Sequence, residues 1–291
     1  LESIDAAGQK VEHVAVGDPV FLRAWVRDLR GDFYPDRGVY AAYLDVLFDA
    51  QQVRPVLNDQ LPLGFEIDFG DAFQHAGSGD VWEEGVVNEV GSVAVAPEPL
   101  GAGEQLLFEM PFDTTGPRVV DDDYDVSFQS VNNILDVLAN DSQLLWTAAF
   151  AGEAADDLPA HRVLLGEPRV AVPADEVVWT GTEVAIANGN EVRIVAVGPA
   201  SNGGAVTISA DGRQLMYVPA TGFEGPETFA YTVADQLGRT AAATVAVSVL
   251  RSWQNLRNPL DVNSDTYVSP IDALLVINYL HAGLPGQLVG L

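Results

Sequence analysis

The first part of the chain is built from short runs in which apolar and polar positions alternate. In the run DPVFLRAWVRDL, one set of alternate residues contains Phe21, Arg23 and Trp25, and the intervening set is wholly apolar. Successive side chains of a β-strand point to opposite faces of a sheet, so this period predicts a strand with one apolar face. The residues predicted to face the core are Val20, Leu22, Ala24 and Val26.

Four further runs of this kind predict strands, over residues 39–48, 65–69, 90–96 and 104–113. Clusters of Gly, Pro, Asp and Asn separate the runs, and these residues favour turns. Short alternating strands with such connections are typical of a β-sandwich. The predicted fold class is therefore mainly β.

A different pattern near the C-terminal end predicts a helix over residues 271–280. Ser269 is a good N-cap, Pro270 suits the first helical position, and Asp272 lies three residues after the cap. Apolar residues surround nearly the whole helix, which gives it more apolar surface than one short helix can bury alone. Part of that surface is expected to contact another domain or another chain.

The segment before this helix carries oxygen-bearing side chains at the spacing of a calcium-binding EF-hand loop. Ligands in such a loop come from positions 1, 3, 5, 7, 9 and 12, the seventh through its backbone carbonyl. Position 12 is Asp272 instead of Glu, and position 6 is Thr266 instead of Gly, which is expected to weaken the site or shift its backbone. The predicted calcium ligands are Asp261, Asn263, Asp265, Tyr267, Ser269 and Asp272.

Residues 252–283, which contain WQNLRNPLDVNSDTYVSPIDALLVINYLHAG, resemble a dockerin module. In that family the calcium loop ends in Asp, and the helix that follows docks on a cohesin domain. The family usually carries two loop-helix units, whereas this chain shows one, so the half-module is either truncated or completed by another segment. The alternative interpretation is a chance Asp- and Asn-rich turn before a core helix.

Two other stretches resemble β-sandwich families. The succession VGDPVFLRAWVRDL, YAAYLDVLFD and LGAGEQLLFEMPF resembles a diverged cohesin, which is a non-catalytic jelly-roll sandwich. Another carbohydrate- or protein-binding sandwich is the alternative. A further resemblance, to the Ig-like, cadherin-like repeats of bacterial adhesins, begins at Val119. It rests on VVDDDYDVSFQSVNNILDVLANDS and, later, on VRIVAVGPASNGGAVTISADGRQLMYVPATGFEGPETFAYTVADQLGRTAAATVAVSV.

The residues between the two parts of the Ig-like resemblance have strands of their own. They are expected either to complete the first sandwich, which would interleave two domains, or to form a long surface insertion, although unstructured loops beyond about 15 residues are uncommon. Three domains are predicted. The first is a jelly-roll cohesin-like sandwich over residues 1–118, which residues 143–187 complete in the first alternative. The second is an Ig/cadherin-like sandwich over 119–250, and the third is a dockerin-like calcium loop and helix over 251–291.

The charge of the chain restricts its partners. Its 291 residues include 42 acidic and 14 basic side chains, for a formal net charge of −28. Nucleic acid and anionic membranes need a positive face, so neither is an expected partner.

The sequence has no cysteine, which excludes disulfides and cysteine-ligated zinc. It shows neither an apolar run of roughly 20 residues nor a signal-peptide pattern at its start, as expected of a chain that is processed or cytoplasmic.

An acidic run at the start of the Ig-like resemblance is a second candidate calcium site. Neighbouring carboxylates repel one another, and an ion between rigid sandwiches would neutralise them. A solvated acidic linker is the equal alternative. The residues concerned are Asp121, Asp122, Asp123, Asp125, Asn140, Asp141 and Asp235.

The sequence argues against an enzyme. Adjacent carboxylates such as Glu83 and Glu84 point to opposite faces of a strand, and Glu109 with Asp113 is an equally weak pair for glycoside hydrolysis. The four histidines lack metal-ligand spacing, and none of the common catalytic motifs is present. Tryptophans could stack on a sugar, although aromatic residues on strands are more often core; Trp82 is the one to test.

These features predict a secreted or cell-surface, non-catalytic assembly protein with calcium as its cofactor. Cohesin-like and dockerin-like ends would join copies head to tail into a filament or matrix, so the expected partner is a protein and most simply another copy. The alternative is a carbohydrate- or protein-binding module that is anchored to a surface or scaffold.

Overall fold

The computed structural model of the chain describes residues 1–95, 100–128, 130–154, 163–166, 169–173, 176–189, 192–250, 260–262 and 267–281. Strands predominate, which confirms the prediction of a mainly β fold. The strands are β1 (Glu2–Ile4), β2 (His13–Ala15), β3 (Val20–Val26), β4 (Val39–Phe48), β5 (Val53–Pro55), β6 (Asp68–Phe69), β7 (His75–Asp80), β8 (Val86–Val93), β9 (Gln105–Thr114), β10 (Asp122–Ser127), β11 (Asn133–Leu135), β12 (Leu145–Ala154), β13 (Val163–Leu165), β14 (Val170–Ala171), β15 (Thr182–Ala187), β16 (Arg193–Val197), β17 (Ala205–Ile208), β18 (Leu215–Val218), β19 (Gly225–Ala234) and β20 (Thr240–Leu250). The helices are α1 (Leu138–Asp141) and α2 (Pro270–His281).

The chain divides into two compact units, each made of segments that are not contiguous in sequence. Unit 1 comprises Leu1–Pro117, Gln143–Glu191 and Asp235–Arg239. Unit 2 comprises Arg118–Ser142, Val192–Ala234 and Thr240–Leu291.

The described part of unit 1 contains two sheets. The first has the strand order β1-β3-β9-β5, with β6 also on β9. The second has the order β14-β13-β4-β12-β15-β2, with β8 on β4 and β7 on β8. The residues predicted to face the core from β3 are all buried, and β4 has the predicted bounds.

Three of the predicted strands of unit 1 have different bounds in the structure. The run over 104–113 is shifted by one residue, as β9 (Gln105–Thr114). The run over residues 65–69 forms only the short strand β6, and the run over 90–96 belongs to β8, which begins at Val86. Alternation identifies which side chains share a face, but the pairing partners decide where a strand begins and ends.

Residues 145–187 supply four strands to the sheet that contains β4. Strand β12 pairs antiparallel with β4, with Phe150 opposite Phe48, and β15 pairs with β12. The Phe112 ring of β9, in the other sheet, contacts both of these rings edge-on, with centroid distances of 5.2 Å to Phe48 and 4.9 Å to Phe150. These three rings therefore join the two sheets in the core of unit 1.

The described part of unit 2 also contains two sheets, with the strand orders β10-β20-β19-β16 and β11-β18-β17. The first strand of this unit, β10, runs parallel to the last, β20, so the two ends of the sandwich segment lie side by side. The core between the sheets includes Tyr217 and Phe229, whose rings stack with centroids 5.8 Å apart.

A buried carboxylate in unit 2 is held by donors on three sides. Glu227 is 1% exposed, and its Oε1 accepts hydrogen bonds from the backbone N–H groups of Asn202 at 2.7 Å and Gly204 at 3.1 Å. The hydroxyl of Tyr217 donates to its other oxygen. Burying a charged carboxylate is costly unless donors satisfy it, so this arrangement fixes the loop before β17 against β19.

Candidate metal centre

The structure describes the two ends of the acidic loop near the C-terminal end. Asp261, at loop position 1, and Asp272, at position 12, are buried, with exposed fractions of 1% and 2%. Tyr267, at position 7, is exposed, and Ser269, at position 9, is half-buried. The other two predicted ligands, Asn263 and Asp265, lie outside the described residues.

Asp272 connects the start of the loop to the start of helix α2. Its Oδ1 accepts a hydrogen bond from the Val262 N–H at 2.7 Å, and its Oδ2 accepts one from the Ser269 N–H at 2.8 Å. The Ser269 hydroxyl accepts a hydrogen bond from the Ile271 N–H at 3.3 Å. The N3 side chain thus satisfies the N–H of the N-cap residue, and the N-cap side chain satisfies the N–H of the N2 residue, in a variant of the capping box. The predicted N-cap and the helix start at Pro270 are confirmed.

The described part of this loop fits a hard divalent cation. Its two buried side chains are carboxylates, which calcium prefers as ligands. A carboxylate offers about four lone-pair sites, so the cap and the coordination of an ion are compatible at Asp272. The Ser269 hydroxyl is engaged in the cap, so position 9 would act through a water molecule, as it often does in EF-hand loops.

Across the described ranges, no group of three or more His, Cys, Asp or Glu side chains is placed to hold a metal ion. Only Asp261 and Asp272 of the acidic loop side chains belong to those ranges. The calcium site therefore stays a prediction.

Helix α2 presents apolar side chains to solvent. Ile271, Leu274 and Ile277 are 56%, 53% and 50% exposed, and they recur every three residues, so they lie along one side of the helix. Val268, just before the helix, is also exposed. Such a continuous apolar strip is typical of a surface that contacts another molecule or another part of the same one.

Of the residues named for the second candidate calcium site, the structure brings together Asp122, Asn140 and Asp141, around the phenol of Tyr231. Asp122 and Asp141 are 6% and 1% exposed, and Tyr231 between them is fully buried. The Tyr231 hydroxyl lies 3.1 Å from Oδ2 of Asp122 and 2.9 Å from Oδ2 of Asp141. Oδ1 of Asp122 accepts a hydrogen bond from the Asn140 amide at 2.8 Å, and Oδ1 of Asp141 accepts one from the Val120 N–H at 3.0 Å.

The pKa values of this cluster are displaced upward. Burial raises the pKa of Asp122, and the charge of Asp141 adds to that effect. Burial also raises the pKa of Asp141. The pKa of Tyr231 is raised by burial and by the two carboxyl groups, and burial together with nearby carboxylates raises the pKa of Tyr124 to about 12. Each of these groups thus favours its neutral form more than it would in water.

The other members of the predicted acidic site lie elsewhere. Asp123 and Asp125 are exposed, and Asp121 accepts a hydrogen bond from the Thr244 N–H at 2.8 Å. Asp235 belongs to unit 1, where its carboxylate binds the Arg239 guanidinium at 2.7 Å.

Sequence reasoning missed Tyr231, although a signal for it exists. In the run FAYTVAD, Tyr231 alternates with Phe229 and Val233, which are both core residues. Period-two alternation therefore places its hydroxyl inside the sandwich, where a hydroxyl needs a partner.

The residues weighed for catalysis have ordinary surroundings. Glu109 forms a salt bridge with Arg23 at 2.7 Å, and Glu83 and Glu84 are exposed. The described histidines are exposed as well: His13, His75 and His281. His161 lies outside the described residues.

Unit 1 exposes two of its tryptophan side chains. Trp82 is 93% exposed. Trp25 is 39% exposed and donates its Nε1 hydrogen to Glu2 at 2.6 Å. Together with Trp179 it lines a groove of about 750 Å³, whose other lining residues, apart from Thr180, are apolar or carry charges of both signs. Trp146 and Trp179 are half-buried, and Trp253 lies outside the described residues.

Comparison with protein families supports one of the three resemblances. Residues 156–248 match the bacterial Ig domain family. This confirms the Ig-like part of the sequence prediction, and a protein-interaction module is what that family suggests. The matched range contains strands β13 to β19 and most of β20, so it includes strands of both units.

The other two resemblances find no support in the comparisons. No cohesin or dockerin model matches, and the comparison with curated proteins gives no match. Among the residues that the structure describes, no helix has the length and apolar character needed to cross a membrane.

Proposed function

We propose that this chain is a non-catalytic assembly protein of the cell exterior, in which a calcium-bound C-terminal loop presents helix α2 to a protein partner. The Ig-like match supports a role in protein interaction. The observation that carries the proposal is the exposed apolar side of α2, placed directly after an acidic loop whose first and last carboxylates are buried.

The exposed side of α2 is large enough to contribute to binding. Complete burial of a Leu or Ile side chain is worth about 1.5 to 3 kcal/mol. Ile271, Leu274 and Ile277 are about half exposed, so their burial under a partner would contribute roughly 1 kcal/mol each. The acidic and basic residues of this helix are Asp272, which is buried, and His281, so the contact would be largely apolar.

Calcium would couple to the helix through Asp272. The same carboxylate accepts hydrogen bonds from Val262 at the loop start and from Ser269 at the helix cap. An ion that fixes this carboxylate would therefore fix the direction in which α2 leaves the loop. It would also offset part of the repulsion within a chain of formal net charge −28.

In the form that we favour, the partner is another copy of the chain. Unit 1, with its cohesin-like resemblance, would receive α2 of the next copy. A contact between two different surfaces of identical chains is heterologous and propagates into a filament unless the rotation closes a ring. Such filaments are consistent with a secreted or cell-surface location.

The size distribution of the intact chain tests this proposal. We expect sedimentation velocity and electron microscopy to show assemblies in millimolar calcium and monomers in chelator. Leu274→Lys should abolish the assemblies, because it places a charge in the apolar contact. Val131→Lys, at an 80% exposed position of unit 2, is the matched control and should leave them intact. Identical size distributions with calcium and with chelator would show that the proposal is wrong.

A second candidate function is a carbohydrate- or protein-binding module anchored by its C-terminal end. The 93% exposure of Trp82 favours it, because a free indole face can stack on a sugar ring. Retention on a polysaccharide column that Trp82→Ala abolishes would support this function. Phe33→Ala, at a 98% exposed position, is the control and should bind like the unmodified chain.

A further inference from the structure

Two tryptophans that are far apart in the sequence line one groove of unit 1. Trp25 lies on β3, and Trp179 lies in the segment between β14 and β15. The groove has a volume of about 750 Å³, which is within the range of about 300 to 1,000 Å³ that is usual for ligand sites. Its lining residues belong to unit 1, and strands of both sheets of that unit contribute to it.

Contacts within unit 1 fix the position of each indole. The Trp25 Nε1 donates a hydrogen bond to Oε1 of Glu2 at 2.6 Å, which orients a ring that stays 39% exposed. Trp179 packs over Gly152 of β12, since a Cβ at that glycine would lie 3.0 Å from the Trp179 Cβ and 3.2 Å from its Cγ. Aromatic rings that are already ordered lose little conformational entropy on binding, so they suit a binding site.

The groove combines an apolar floor with charged groups at its rim. Three of its lining residues, Val26, Val39 and Val163, are buried and form the floor. At the rim, Arg27 and Glu104 form an ion pair at 3.6 Å, with side chains that are 57% and 60% exposed. An exposed ion pair contributes little to stability, so both groups are available to bind a ligand.

The charge of the lining is nearly balanced, unlike that of the chain. Four acidic and three basic side chains line the groove, whereas the chain as a whole has 42 and 14. Hydrogen-bond donors and acceptors are therefore both present, with little net charge to attract a highly charged ligand. This combination matches a neutral sugar, whose C–H groups stack on an indole and whose hydroxyls both donate and accept hydrogen bonds.

We propose that the groove lined by Trp25 and Trp179 binds a neutral oligosaccharide whose ring hydroxyls are equatorial. Equatorial hydroxyls point away from the two faces of a sugar ring, so its C–H faces stack on the indoles while Arg27 and Glu104 bind its hydroxyls. The inference shares its ligand class with the second candidate function, but it rests on the groove, which Trp82 does not line. It depends neither on calcium nor on assembly.

Titration calorimetry on the full chain in chelator-containing buffer tests this site. The probes are linear, neutral hexasaccharides of glucose, xylose or N-acetylglucosamine in β-linkage, because their ring substituents are equatorial. We expect at least one of them to bind at millimolar concentration or below. Trp25→Ala should raise its Kd by roughly tenfold or more, because loss of an aromatic anchor has an effect of this size. Trp82→Ala removes an exposed tryptophan of the same unit outside the groove and should leave the Kd unchanged.

Oxidative footprinting of the unmodified chain gives a second readout, which decides if Trp25→Ala does not fold. Oxidation of each tryptophan would be measured by mass spectrometry with and without saturating hexasaccharide. We expect the bound sugar to reduce the oxidation of Trp25 severalfold and to leave that of Trp82 unchanged.

Three results would overturn this proposal. The first is that none of the hexasaccharides binds at millimolar concentration. The second is that the sugar protects Trp82 instead of Trp25, or that Trp82→Ala weakens binding as much as Trp25→Ala does. The third is unchanged sugar binding by Trp25→Ala; if this variant also fails to assemble in calcium, the groove receives a protein partner and not a sugar.

Discussion

The strongest test of the fold concerns Phe150, because it lies on the segment between the first and second parts of unit 2. Phe150 is 1% exposed, and its ring meets Phe112 edge-on at 4.9 Å in the core of unit 1. We predict that Phe150→Ala destabilises unit 1, most of whose strands lie before residue 118 in the sequence. Leu145→Ala, on the same strand but at a 61% exposed position, is the matched control.

The expected magnitude follows from burial and ring contact. Replacement of a buried Phe by Ala costs about 3 to 5 kcal/mol through lost burial and the cavity left behind. The edge-on contact with Phe112 contributes about 0.5 to 1.5 kcal/mol of that loss. The equilibrium constant for unfolding should therefore rise by roughly a thousandfold, at about 1.4 kcal/mol for each factor of ten. Leu145→Ala should change stability by less than about 0.5 kcal/mol.

Urea unfolding followed by tryptophan fluorescence gives the required readout. Four of the five tryptophans, Trp25, Trp82, Trp146 and Trp179, belong to unit 1. We expect Phe150→Ala to move their transition to a much lower urea concentration and Leu145→Ala to leave it in place. If both variants unfold at the same urea concentration as the unmodified chain, the packing of residues 145–187 into unit 1 is refuted.

Three further outcomes are expected. Asp272→Ala should abolish calcium uptake in titration calorimetry and reduce helix content in circular dichroism, since loss of the cap alone costs about 1 kcal/mol. Tyr217→Phe should lower the free energy of unfolding by about 1.5 to 3 kcal/mol in a urea titration, because the buried carboxylate of Glu227 loses one of its donors. Gly91→Ala should cost about 3 kcal/mol in the same assay, because its Cβ would collide with the backbone oxygen of Ala42 on the neighbouring strand.

Two features of the local structure follow directly from the sequence. Alternation fixes the buried face of β3, and the cap residues fix the start of α2 at Pro270. Both depend on neighbours within about four residues in the sequence, so a short window contains all the information required.

Long-range pairing is harder to predict. Strand β10 lies parallel to β20 with Asp122 opposite Val245, and Phe150 lies opposite Phe48. Nothing in the alternation of either strand identifies its partner, because any apolar face can pack on another of similar width.

The burial of Asp122 was also not predicted from the sequence. A run of three aspartates suggests a solvated segment, but the alternation within β10 places Asp122 on the same side as the buried Val126.

The two buried pairs of acidic residues in unit 2 have different surroundings. Asp122 and Asp141 enclose the Tyr231 phenol, which already occupies the space between their Oδ2 atoms. Asp261 and Asp272 instead belong to a loop in which oxygen-bearing residues recur along the chain, the pattern that suits a cation with several oxygen ligands. We therefore expect removal of calcium to loosen the segments around α2 and to spare β10 and β19, which hydrogen exchange with and without chelator can check. If chelator loosens β10 and β19 as much as the segments around α2, the two pairs do not differ in this way and the prediction is wrong.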